Sequence, residues 1–232
     1  MLRAYLYLLF FIPFTLLCSL AAIGSAFFDS IGAFAHSCSR FWSRWGLRLA
    51  GIKIDINGLG NIPSDGPLIF MGNHQGNFDI LALTTAIPRR FSWIAKKELF
   101  DVPLFGKAMR RAGYIPMDRS DGRHALKSIN DVAEQIKNGS SVVIFPEGTR
   151  TKDGNLLPFK KGGFLLAVKA GVPILPFTIN GSMKINPRNR IELYPGTIRI
   201  TFSMPVPTAI NKREGHSELM KRVKSAITAG LE

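Results

Sequence analysis

Residues 67–88 read PLIFMGNHQGNFDILALTTAIP, and the order of apolar and breaking residues in this stretch sets the class of fold. Leu68 to Met71 form a short apolar run of the kind that enters a sheet covered on both faces. Gly72 and Asn73 interrupt it. Asn77 then stands as a helix N-cap before FDILALTTAI, and Pro88 ends that helix. A buried strand that passes through a polar turn into a helix is the repeating unit of an α/β domain.

The same alternation extends in both directions. IKIDIN (52–57) alternates with period two, and FSWIA (91–95), YIPM (114–117), SVVIF (141–145), VPILPFTI (172–179) and TIRITFS (197–203) read as further strands. Residues 102–113, 122–139, 162–171 and roughly the last eighteen read as helices, with Gly113 and Gly139 as stops. The expected class is α/β, a mixed and mostly covered β-sheet flanked by helices, in one domain over residues 51–232. No internal repeat interrupts it.

Residues 1–50 have a different character and read as a separate pair of membrane-anchoring helices. From Ala4 to Phe28 there is no charged side chain. A helix of that length rises about 37 Å at about 1.5 Å per residue, enough to cross a hydrocarbon core of ~30 Å. Pro13 leaves a kinked or re-entrant course open beside a straight span. A cleaved signal peptide is a third reading, but the stretch exceeds the usual h-region, so retention is expected. In the following FAHSCSRFWSRWGLRLAG (34–51), His36, Arg40, Arg44 and Arg48 share one helical face. Phe34, Cys38, Phe41, Trp45 and Leu49 share a neighbouring one, and Gly51 stops the helix. Arginine beside aromatics suits a lipid headgroup boundary, and His36 is placed on that headgroup face without chemistry of its own. A soluble helix with a solvated basic face is the competing reading. Cys18 and Cys38 read as small buried thiols in a reducing compartment.

Thirty basic residues against sixteen acidic ones give a net charge of +14, which favours an anionic partner. Nucleic acid is set aside, since no helix-turn-helix or aromatic RNA motif is present. There is no G-x-S-x-G elbow, P-loop or H-E-x-x-H, and GLGNIP lacks the third glycine of a dinucleotide loop. The chemistry gathers instead at strand ends. His74 and Asp79 follow one strand at a spacing that brings them together only if the loop turns back, which Gly76 and Asn77 permit. An aspartate that holds one imidazole nitrogen frees the other as a general base, here for a hydroxyl of the substrate. FPEGTR (145–150) places Glu147, Gly148 and Arg150 after another strand, with Lys96, Lys97, Arg119, Lys160 and Lys161 after predicted strands or in nearby loops. Arginine's planar fork fits a phosphate monoester.

NHQGNFD, GYIPMDR, FPEGTR and VPILPF, in this order and spacing, closely resemble the four sequence blocks of the 1-acylglycerol-3-phosphate acyltransferase family, over about residues 50 to 210. The resemblance implies a glycerolipid acyltransferase-like fold. It also implies transfer of a fatty acyl group from acyl-CoA or acyl-carrier protein to the 2-hydroxyl of lysophosphatidic acid, giving phosphatidic acid. His74 would then be the base and Asp79 its orienting partner. Arg119, Glu147 and Arg150, with Gly148 and Lys96, would bind the glycerol phosphate, and the block containing Pro173 would shape the acyl or acceptor pocket. No metal or organic cofactor is expected. Anionic membrane lipids are expected neighbours at the cytoplasmic face of the inner membrane. Another lyso-lipid or glycerol 3-phosphate as acceptor, and a non-catalytic basic lipid-binding protein, remain as rivals.

Overall fold

The apolar run from Leu68 to Met71 forms β2 (Ile69–Gly72), with all four residues buried. It lies between two parallel partners, β5 (Val142–Ile144) and β6 (Ile174–Asn180). Those partners supply its buried cover at the edges, and helices supply it at the faces. The structure is a computed structural model that describes residues 1–117, 122–187, 190–209 and 215–232. Along the chain come α1 (Leu2–Gly24), α2 (Ala33–Ala50), β1 (Ile52–Asn57), β2, α3 (Phe78–Ala86), β3 (Ser92–Lys96), α4 (Phe105–Arg111) and β4 (Ile115–Met117). Then follow α5 (Gly122–Lys137), β5, α6 (Lys161–Ala170), β6, α7 (Ser182–Ile185), β7 (Gly196–Phe202) and α8 (Gly215–Thr228). Each strand and helix read from the sequence is present; the single turn of α7 was not foreseen.

The residues fall into two units: Met1–Asp55, Gly76–Met117 and Gly181–Ile198 make the first, and Ile56–Gln75, Asp118–Asn180 and Arg199–Glu232 the second. In the second, β5, β2 and β6 run parallel, and β7 closes antiparallel on β6 with Phe177 opposite Phe202. Every residue of β6 is buried. The helix α8 packs on β6, and α6 lies against α5 and α8. Phe70, Phe164, Leu166, Phe177 and Phe202 are almost wholly buried at this core.

In the first unit β3 and β4 pair in parallel, α1 packs along α2 and α4, and α2 packs on α3. The helix α1 continues through Pro13. Both its ends are tied back. Arg3 donates to the Ala50 carbonyl at 2.8 Å, and Arg111 reaches the Ser25 carbonyl at 3.4 Å. Between α1 and α2, Asp29 accepts the N–H groups of Ile31, Gly32 and Phe34. Burial works against its ionised form, yet these donors and Arg111 hold its carboxyl below the usual carboxylate range. Gly46 marks the tightest approach: a Cβ there would come within 2.6 Å of both Leu81 on α3 and Phe11 on α1. Asn77 precedes α3 as expected but makes no capping bond; its side chain donates to Asn186 at 2.8 Å instead.

His36 differs from its expected place. It is 4% exposed, edge-on to Phe91 with ring centroids 5.1 Å apart and to Tyr114 at 6.4 Å. The reason is the packing of α2: the aromatic ridge Phe34, Phe41, Trp45 and Leu49 faces outward, so the opposite side of the helix faces the unit's interior. Cys38 is half-buried against Ala22, Ala35 and Ala112.

Burial, and then the Arg40 and Arg90 guanidiniums, push the His36 pKa down from 6.5 to about 4. The unfolded chain therefore binds the extra proton first, and stability present above pH 6.5 drains away as the pH falls toward 4. His36→Phe should remove that part of the acid sensitivity, on the order of 2–3 kcal/mol between pH 7 and 4. Urea melts at the two pH values measure it, and an unchanged pH dependence in the variant would refute the assignment.

Candidate active site

Past Gly72 the chain leaves the ladder, but its next two residues stay braced. Asn73, 3% exposed, donates from Nδ2 to the Ile179 carbonyl at 2.8 Å and accepts the Ile179 N–H at 2.7 Å. His74 donates its backbone N–H to Glu147 Oε1 at 2.8 Å, and its carbonyl accepts the Thr151 N–H at 2.9 Å. The imidazole stacks on Phe145, 3.9 Å between centroids and 7° from parallel. Phe145 in turn meets Phe177 edge-on at 6.1 Å. A face-on stack fixes the ring plane without using its nitrogens.

The turn after His74 does fold back. The Asp79 N–H bonds to the Gly76 carbonyl at 3.3 Å, and the Gly76 N–H donates to Asp79 Oδ2 at 2.8 Å. Asp79 is fully buried in the first turn of α3.

Glu147 has a different place from the one its motif implied. Instead of projecting toward a ligand it is 2% exposed, and its second oxygen, Oε2, accepts the Leu157 N–H at 2.8 Å. An anion has no reason to approach a phosphate, but it is well matched to backbone donors that lack other partners. Glu147 therefore fastens the His74 backbone to the loop before α6. Gly148 has φ +72°, and a Cβ on it would meet the end of the Lys160 side chain at 3.1 Å. The end of the Lys160 side chain therefore lies over the turn at residues 147–150, where glycine leaves room for it. Arg150 is half-buried on the same turn.

Pro173 lies at the start of β6, its carbonyl bonded to the Ile69 N–H at 3.1 Å. His74 follows Ile69 by five residues, roughly 16 Å along a strand. Lys96 ends β3 in the first unit and is exposed. Arg119 lies outside the described residues. Among those described, no three His, Cys, Asp or Glu side chains converge as a metal site. Lys160 was among the basic residues expected near this turn; Asn73 and Phe145 were not foreseen. A polar amide directly after a buried strand, and an aromatic residue ending the next one, were the available signals.

The sequence profile described as Acyltransferase matches residues 53–180. The chloroplastic 1-acyl-sn-glycerol-3-phosphate acyltransferase of Brassica napus is 38% identical over 175 residues, 75% of this chain and 50% of that protein. The enzyme of that name from Pseudomonas aeruginosa is 33% identical over 192 residues, 81% and 74% of the two chains. The chain spans about half the length of the plant relatives it matches. The crystal structure of a 1-acyl-sn-glycerophosphate (LPA) acyltransferase from Thermotoga maritima superposes with a TM-score of 0.73 at 27% identity, covering 93% of this chain and 94% of that one.

Glu147→Ala leaves two part-buried N–H groups without their acceptor, each worth about 1–3 kcal/mol. The variant should lose about 2–5 kcal/mol in urea unfolding, and Glu147→Gln, which keeps one acceptor oxygen, should lose less. An alanine variant as stable as the parent would show that the carboxylate is not the brace.

Proposed function

Because the chain belongs to the 1-acyl-sn-glycerol-3-phosphate acyltransferase family, we propose that it moves a fatty acyl group from acyl-CoA or acyl-carrier protein to the 2-hydroxyl of lysophosphatidic acid. The observation that carries this reading is His74, held by its backbone and ring at the end of β2 beside a turn bearing Arg150 and Lys160. His74 takes the hydroxyl proton as the alcohol oxygen attacks the thioester carbonyl. The tetrahedral adduct collapses, the carbon–sulfur bond breaks, and the thiolate leaves and recovers the proton from the imidazolium. The products are phosphatidic acid and the free thiol. A thioester is already activated, so a placed base and cationic grips on the phosphate can suffice. Asp79 orients the imidazole, supported by its burial and by the closed turn that holds it. Arg150 and Lys160 grip the phosphate. Glu147 takes no part in that grip.

The lipid substrate meets the protein at a bilayer, with residues 1–50 as the docking element and the remainder as the catalytic domain. The segment Leu2–Phe27 is long and apolar enough to cross a membrane. The ties from Arg3 to Ala50, and from Arg111 and Arg90 to the α1–α2 turn, support a course within one leaflet instead. Phe27, Phe28 and Ile31 are 95%, 69% and 67% exposed at that turn, as an inserting tip requires. An apolar cavity of about 340 Å³ in the first unit, lined by Tyr7, Leu8 and Phe11 on α1 and Phe78 and Leu81 on α3, suits an acyl chain. The thioester donors place the reaction at the cytoplasmic face.

Purified protein given lysophosphatidic acid and acyl-CoA should release free thiol, and His74→Ala should lower that rate by about 10²–10⁴-fold. Unchanged turnover in the variant refutes the base; turnover only with another acceptor in a panel refutes the substrate. Replacing Phe27, Phe28 and Ile31 by serine removes about 2 kcal/mol of burial per residue. Vesicle flotation should then fall at least tenfold, and undiminished flotation would refute the tip.

A further inference from the structure

His74 is held from two sides, by residues that follow β5 and by the residue that precedes it at the end of β2. On the β5 side Glu147 takes its N–H and Thr151 donates to its carbonyl. On the β6 side the hold comes one residue earlier. The β2–β6 ladder ends with Gly72 opposite Phe177. Ile179 nevertheless directs both its N–H and its carbonyl toward the β2 side, and the Asn73 carboxamide satisfies both. A planar amide offers one donor and one acceptor at the spacing of a peptide group, so the side chain substitutes for a further residue of strand. Ionised aspartate has the shape but no donor, and sets an anion against the Ile179 carbonyl. Alanine has neither group, and glutamine carries its amide one methylene too far.

We propose that Asn73 is a positioning residue for His74: its carboxamide continues the β2–β6 ladder past the end of the strand and thereby fixes where the imidazole stands. The inference rests on the reading of His74 as the base. Asn73 touches no reacting atom, so its contribution is to the rate of the chemical step and not to substrate affinity. Misplacement of a reacting group by about 1 Å costs roughly 10²-fold in rate.

The test uses the full chain in detergent with two variants, Asn73→Ala and Asn73→Asp, assayed by thiol release and by hydrogen exchange at the His74 amide. For Asn73→Ala, kcat per folded molecule should fall roughly 10²-fold with KM for both substrates within about threefold, the signature of a placement defect. Asn73→Asp carries a pH signature that loss of fold does not. Protonation of the buried carboxyl restores the missing donor, so its kcat relative to the parent should rise as the pH is lowered from 8 to 6. Exchange at the His74 amide should quicken in Asn73→Ala while amides of β5 and α8 keep their protection. Parent-like kcat in folded Asn73→Ala, a rise in KM alone, or unchanged exchange at His74 would each overturn the proposal. If the parent protein itself releases no thiol, the acyl-transfer reading fails, and the exchange measurement decides on the brace by itself.

Discussion

The carboxylate of Glu147 joins two backbone N–H groups from distant parts of the chain, one at His74 and one at Leu157, while almost excluded from water. A buried carboxylate is costly unless its oxygens are occupied by donors, and here backbone amides occupy both. The arrangement determines much else in the second unit. It holds the segment after β2 against the loop that returns from β5 to α6. It also leaves Gly148 at the apex of a turn tight enough for Lys160 to lie over it. The loop from 151 to 157 has its own closure through Thr151 and Asp153.

The positive surplus divides into two kinds of arginine. Arg3, Arg40, Arg90, Arg110 and Arg111 all donate to backbone carbonyls of the first unit. These carbonyls lie at helix ends and turns beside apolar surface, where water is a poor substitute for a guanidinium. That share of the +14 charge is structural. Arg44, Arg48 and Lys160, by contrast, are at the surface, and Arg48 lies over the Trp45 ring at 5.1 Å.

Strands β2, β5 and β6 were legible because their apolar runs are short and sharply bounded, and the α5 periodicity because it spans four turns. The His74 and Asp79 turn was legible because glycine and asparagine stood where the chain had to reverse. What could not be read is what depends on partners remote in sequence. Glu147 looked like a ligand group, since nothing local says that its acceptors face His74 and Leu157. His36 shared a helical face with three arginines, and only the packing of α2 decides that this face turns inward at that point.

The close approach at Gly46 leaves no slack between α1, α2 and α3. The helix that begins beside Asp79 is therefore geared to the helix carrying the outward apolar face. If α1 docks on a bilayer as proposed, a lateral pressure that tilts it would carry the start of α3 with it. On the membrane reading proposed above, the mechanical state of the lipid would then be felt at the buried carboxylate that opens α3.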